Sequence, residues 1–190
     1  MITERMGKNY AKEFIVRTRE LIRQYEEHVI STLERDSRDS ECYDMTLLIN
    51  CFYGLLMMPS KLNYNKLKKY DDAEQFLKEK GFDDEISFVK SCKRKISLEE
   101  FVRSIRNGLG HWEEHNPNYP DTNSKGEPFG LDYKPKNAGE SIKELIVRGS
   151  IADYKIDVST TFKVSAERNQ HKIWEFLEFL GNIIEQNPIG

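Results

Sequence analysis

The stretch that most constrains this chain is Ser97 to Asn116, SLEEFVRSIRNGLGHWEEHN. Ser97 and Glu100 have the spacing of a capping box, in which the hydroxyl takes a first-turn amide and the carboxylate reaches back to the cap. Leu98, Phe101, Val102, Ile105 and Leu109 then recur at helical spacing and make one apolar stripe. Arg106, Asn107 and His111 sit beside that stripe. At 100° per residue Asn107 and His111 share a face and Arg106 flanks them. Gly108 and Gly110 lie between. A helix-interior glycine costs roughly 1 kcal/mol relative to alanine, so two of them here point to a close approach by another backbone or a ligand.

These residue types suit cleavage of a phosphodiester without metal. Histidine titrates near neutral pH and can take a proton from a ribose 2′-OH or give one to the leaving oxygen. Arginine stays charged and forks onto phosphate oxygens, where charge builds up in the transition state. Asparagine orients either group. His111 is therefore the candidate acid/base, Arg106 the candidate phosphate ligand and Asn107 the candidate positioning residue.

Arg106-Asn107-x-x-x-His111 resembles the RNxxxH form of the R-x(4–6)-H signature of the HEPN superfamily. Leu48 to Leu56, LINCFYGLL, followed by Pro59, looks like the apolar second helix of the plasmid- and phage-linked HEPN nucleases. A short β segment and an amphipathic helix at the end of the chain complete the likeness. Gly108 and Gly110 stand where Ser and Ala are more usual in that family. The resemblance implies a helical bundle that dimerises, so that two motifs face each other, and a metal-independent ribonuclease of toxin–antitoxin or phage-defence systems. It implies no cofactor. Its further partners are an RNA substrate, a second copy of the chain and an antitoxin or other regulator. A HEPN-like module that binds RNA or a partner without cleaving is the alternative.

The dimer also follows from geometry. Arg106 and His111 are five residues apart, about 140° round a helix, so one copy does not bring them to one point. Two copies about a twofold axis supply two His and two Arg to one groove, with small residues at Gly108 and Gly110 allowing close approach.

A rival reading uses the same helix. His111-Trp112-Glu113-Glu114-His115 matches H-x-x-E-H, the inverted zinc-peptidase motif, with Glu114 as base. Asn116-Pro117 ends the helix at once, and no downstream Glu stands out as a third ligand. The reading adopted is therefore that the chain holds no metal.

A length of 190 residues predicts a single domain, 1–190, with 116–140 as a loop insertion. No apolar run reaches the ~18 residues of a membrane span. Cys42, Cys51 and Cys92 are odd in number and lack metal spacing, which reads as reduced thiols in a cytoplasmic protein. The net charge is -3 and the pI about 5.9, too acidic for a protein that coats RNA but compatible with a local patch. The densest positive run is Lys90, Lys93, Arg94 and Lys95; with Arg103 it is the candidate phosphate-facing surface. Ser60 to Tyr70, SKLNYNKLKKY, interleaves lysines with tyrosines in a way that also suits RNA, although a solvated connector explains it as well.

The remaining pattern predicts helices from about 10 to 35, up to Met58, over 71–80 and 84–93, and at the end of the chain, where Ile173, Phe176, Leu177, Leu180 and Ile184 form a stripe. Asn50 reads as a hydrogen-bonded polar group in the core. Asn116 to Glu140 is Pro-, Gly- and Asn-rich and reads as a loop placed to cover the site. Ile142–Val147 and Thr160–Val164 read as two paired strands. The expected fold is mainly α: a HEPN-like helical bundle with a small β-hairpin element before the C-terminal helix.

Overall fold

The computed structural model describes residues 13, 16–24, 27, 49–57, 64–110, 122–134, 143–151, 156–163 and 172–185. They fall into two compact units, one drawn from residues 1–63 and 174–190, the other from 64–173.

In the first unit, helix α1 covers 16–24 and α2 covers 49–57, the latter ending in a π turn, Tyr53–Met57. Most of helix α5, Lys172–Glu185, completes it. Cys51, Phe52, Leu55, Leu56, Phe176, Leu177 and Leu180 are fully buried, so these residues of the second apolar stretch and of the terminal stripe form core. Gly54 lets α1 approach, because a Cβ there would run into Thr18. Trp174 is also buried, at 5% exposure. Asn50 corrects an expectation: it is exposed.

The second unit contains a 3-10 turn, Tyr64–Lys69, helix α3, Ala73–Glu79, and strand β1, Ile86–Lys90. Helix α4, Leu98–Gly110, follows. Strands β2, Gly130–Lys134, β3, Glu144–Ile151, and β4, Ile156–Lys163, complete the unit. The four strands form one antiparallel sheet in the order β1-β4-β3-β2. Asp72 caps α3 by accepting from the Glu74 and Gln75 amides, and Gly81 takes φ 67 just past its end.

This sheet overturns the expectation of a mainly α bundle. The described chain is mixed α/β, and the hairpin before the last helix is the centre of a four-stranded sheet. Two strands were hidden for physical reasons. Ile86–Lys90, ISFVK, is five residues long, too short for its alternation to stand out from a helical pattern. Gly130–Lys134, GLDYK, lies inside the Pro- and Gly-rich stretch 116–140. The other two pair as expected but run longer, with Leu145 opposite Phe162 and Val147 opposite Thr160.

Strand alternation gives the sheet two different faces. One carries Leu145, Val147, Gly149 and Ile151 of β3 with Phe162, Thr160, Val158 and Ile156 of β4. All of these side chains are buried. Helix α4 lies on this face, with the rings of Phe101 and Phe88 4.8 Å apart. The opposite face carries Arg148, Ser150, Asp157 and Ser159.

Candidate functional site

Helix α4 begins as its sequence requires. The Ser97 hydroxyl accepts from the Glu100 amide at 3.2 Å, and the Ser97 amide donates back to the Glu100 carboxylate at 3.0 Å. Leu98, Phe101, Val102, Ile105 and Leu109 are all buried. Full burial of a side chain such as Phe101 contributes roughly 1.5–3 kcal/mol, so the stripe holds the helix firmly on the sheet.

The motif residues emerge from the second half of α4. Asn107 donates its side-chain amide to the Ser150 carbonyl on β3 at 2.9 Å. Strand β2 pairs with β3 only as far as Arg148, so among the described residues no strand pairs with this edge of β3 at Ser150. Gly108 sits directly on β3: a Cβ there would lie 2.7 Å from the Arg148 carbonyl oxygen and 2.7 Å from Val147 Cγ1. Gly149 faces it from the strand, and a Cβ on Gly149 would run into the Ser104 carbonyl. The close approach read from the glycines is therefore real at Gly108. The approaching backbone is the chain's own strand, not a second helix as expected.

Arg106 lies about 160° round the helix from Gly108, on the flank away from Asn107. It is half-buried, and its Nε is enclosed with no hydrogen-bond partner among the described residues. An enclosed guanidinium nitrogen without an acceptor is costly, and the charge it shares with the rest of the fork suits a nearby phosphate. His111, Glu114 and His115 lie outside the described residues, so only the Arg106 half of the Arg/His pair is described, and none of the H-x-x-E-H match is.

The basic run before α4 is built differently from the expected open patch. Arg94 forks onto Glu100 at 2.6 and 3.1 Å. Lys95 pairs with Asp72 at 2.9 Å, Lys90 with Glu74 at 3.7 Å and Arg103 with Glu99 at 2.9 Å. The Arg94 hydrogen bond outweighs burial and holds the Glu100 carboxyl below the ordinary carboxylate range. Lys95 does the same to Asp72, whose carboxylate in turn raises Lys95. Such half-exposed pairs contribute little to stability, but they cancel charge. Lys93 is exposed. The run is thus largely neutralised locally.

Glu99 was not singled out by its sequence. It is 6% exposed and lies between Arg103 and the Lys68 ammonium, 3.8 Å away. An acidic residue in the first turn of a helix is common enough to carry no signal by itself.

Of the described part of the 116–140 stretch, 130–134 is strand β2 itself, and 122–128 meets side chains on the sheet face opposite α4. The Ser124 amide donates to Asp157, and Glu127 stands 3.5 Å from the buried Arg148, which also bonds Asp132 at 3.0 Å. Residues 122–128 therefore do not cover the Arg106 flank, as a lid would. Among the described residues no cluster of three His, Cys, Asp or Glu stands ready to hold a metal ion, and no helix is long and apolar enough to cross a membrane.

No curated protein and no solved structure matches the chain. A family model described as HEPN pEK499 p136 matches residues 1–188, and the chain belongs to that family of the HEPN superfamily.

Proposed function

We propose that the chain is a metal-independent endoribonuclease of HEPN type, acting in the cytoplasm as a toxin or phage-defence effector, with Arg106 and His111 shared across a homodimer. At the coarser level, family membership makes it a HEPN-type nuclease or RNA-binding module. The observation that carries the finer reading is Arg106: a half-buried guanidinium on the outer flank of α4 whose Nε has no acceptor among the described residues. In the proposed reaction His111 takes the proton of a ribose 2′-OH. The freed oxygen attacks the adjacent phosphorus, and the P–O5′ bond breaks. A second His111, from the partner subunit, protonates the leaving 5′ oxygen. Arg106 offsets the charge that gathers on the phosphoryl oxygens. Asn107, tied to Ser150, fixes the helical turn that leads to His111.

The bond of Asn107 and the packing of Gly108 favour one other reading, a HEPN module that binds RNA or an antitoxin-like partner without cleaving. Both residues have a complete structural reason to be where they are. The two readings separate in one assay: purified protein and unmodified RNA in excess EDTA, with His111→Ala alongside. Cleavage that persists in EDTA, yields 2′,3′-cyclic phosphate ends and vanishes in the variant supports the enzyme. Products with 3′-OH ends, or activity that depends on added zinc, reject it.

A further inference from the structure

We infer that Arg148 is a positioning residue for the proposed site. From the sheet face opposite α4 it clamps the strand on which the motif helix rests, together with the turn at which the chain returns after the motif. The inference deepens the ribonuclease reading and rests on it only for the effect on catalysis.

Strand β3 carries both sides of the clamp within four residues. On one side Gly108 packs against the Arg148 carbonyl and Val147, and the Ser150 carbonyl accepts from the Asn107 side chain. On the other, the Arg148 side chain is 11% exposed, donates from Nη1 to Asp132 at 3.0 Å and holds its Nε 3.5 Å from Glu127. Alternation along the strand requires this division, with Val147 and Gly149 turned to α4 and Arg148 turned away. A main-chain shift at Arg148 therefore moves the seat of Gly108 and Asn107 at once.

Glu127 is brought to Arg148 by a turn that shapes itself. Asn123 Oδ1 accepts from the Lys125 and Glu127 amides, each at 2.9 Å, and Nδ2 donates to the Glu127 carboxylate at 2.9 Å. The Asn123 amide donates to the Glu127 carbonyl at 2.8 Å, and Gly126 takes φ 75 between them. The turn is tied to the sheet a second time, where the Ser124 amide donates to Asp157 at 2.8 Å. Asp157 is the register partner of Ser150. The turn thus grips β3 and β4 at the level where α4 lies on the other face, just past the end of the pairing with β2.

The connection along the chain gives this grip its purpose. The described course of α4 ends at Gly110, and the chain is next described at Thr122, in the turn tied to Arg148. Residues 111–121, of which His111 is the first, are therefore flanked on both sides by segments fixed to Val147–Ser150 of one strand. Fixing both ends of a segment removes conformations it would otherwise sample. A displacement of roughly 1 Å at a reacting group costs about 100-fold in rate, whereas half-exposed ion pairs contribute little to global stability.

The test compares the parent with the double variant Glu127→Ala, Asp157→Ala, which frees the turn from both ties and leaves Arg148 its bond to Asp132. Hydrogen exchange read by mass spectrometry should quicken in peptides covering 111–121 and stay parental over α3. With unmodified RNA, kcat should fall about 10- to 100-fold while KM stays within about twofold. Arg148→Lys keeps the charge but not the fork and should fall between the parent and the double variant. Ser87→Ala, exposed on the same face of β1, should change neither readout. If the double variant fails to fold, Glu127→Gln, which removes only the charge facing Arg148, is read in the same way. The clamp is overturned if exchange over 111–121 is unchanged, or if a parent that cleaves RNA loses no kcat in the variants. It is also overturned if exchange rises equally in every peptide, which would make the cluster a general support of the fold. Quickened exchange over 111–121 with a parent that cleaves no RNA would keep the clamp and reject the ribonuclease. Cleavage that all these variants leave intact would do the reverse.

Discussion

The side-chain amide of Asn107 donates to the main-chain carbonyl of Ser150 across 2.9 Å, joining α4 to β3 at the point where β2 has ended. The motif asparagine therefore supplies a donor that, among the described residues, no neighbouring strand gives this edge of the sheet. Ser150 is 2% exposed. Asn107→Ala would leave its carbonyl unpaired and enclosed, at a cost of about 1–3 kcal/mol. Urea denaturation should show a lowered midpoint with an unchanged slope. A variant as stable as the parent but impaired in cleavage would show that Asn107 acts on substrate rather than on the sheet.

Gly108→Ala sets two effects of opposite sign against each other. Alanine should gain roughly 1 kcal/mol in helix propensity. Its Cβ would stand 2.7 Å from the Arg148 carbonyl oxygen and from Val147 Cγ1, and overpacking of this kind costs typically 1–3 kcal/mol. Backbone cannot swing aside as a side-chain tip can, so a net loss is expected. A Gly108→Ala variant that melts higher than the parent would show that α4 is not held this closely to β3.

Acid should loosen the start of α4 through Glu100. Its carboxyl titrates below the usual 4.5, chiefly because Arg94 bonds its charged form. A group whose folded pKa is depressed contributes stability that is complete above its unfolded pKa and is lost as pH falls through the folded one. The contribution should therefore be intact above about pH 4.5 and disappear below it. Glu100→Gln keeps the capping geometry but not the charge. The stability difference between parent and variant should be at most about 1 kcal/mol near neutrality and shrink toward zero in acid. A difference that is constant from pH 7 to pH 3 would remove the ion pair from the account.

Much of α4 was legible in sequence because local rules act there without competition. The Ser97–Glu100 box and the stripe from Leu98 to Leu109 appear as read. The partner of the stripe was not legible. A helical stripe says that something covers it, not whether that is another helix or a sheet. Strand β3 was expected to end at Val147 and runs to Ile151 through Arg148, Gly149 and Ser150. An arginine, a glycine and a serine do not advertise a strand, although a glycine inside one is the mark of close backbone approach. The pairing of the charge run at 90–95 was not legible for a different reason. Its counter-ions Asp72 and Glu74 lie well before the run, and Glu100 lies on the next element.

Thiol chemistry should distinguish the two described cysteines. Cys51 is fully buried, and burial pushes its thiol up to about 12. At pH 8 only roughly one molecule in ten thousand would carry the thiolate that alkylating reagents need. Cys92, beside the exposed Ser91, is half-buried. Iodoacetamide at pH 8 followed by peptide mapping should label Cys92 in the native protein and spare Cys51 until denaturant is added. Equal labelling of both would show that α2 opens readily.

The shared site makes the strongest demand on the quaternary structure. Gly108 is covered by β3, so a twofold partner cannot use it to reach α4. The available flank is the opposite one, where Arg106 and Gly110 lie about 40° apart, one turn along the helix. A groove formed there would place the Arg106 of one subunit beside the His111 of its partner. Arg106→Ala and His111→Ala homodimers should each be inactive. Unfolded together and refolded, they form heterodimers in which an intact Arg106 and an intact His111 come from different subunits. Each heterodimer keeps one of the two histidines, so cleavage should return at a reduced rate, in proportion to the heterodimer fraction. Activity that stays absent in verified heterodimers would mean that the site needs both histidines or each subunit's own pair. A parent protein that cleaves RNA as a monomer at micromolar concentration would remove the need for a partner altogether.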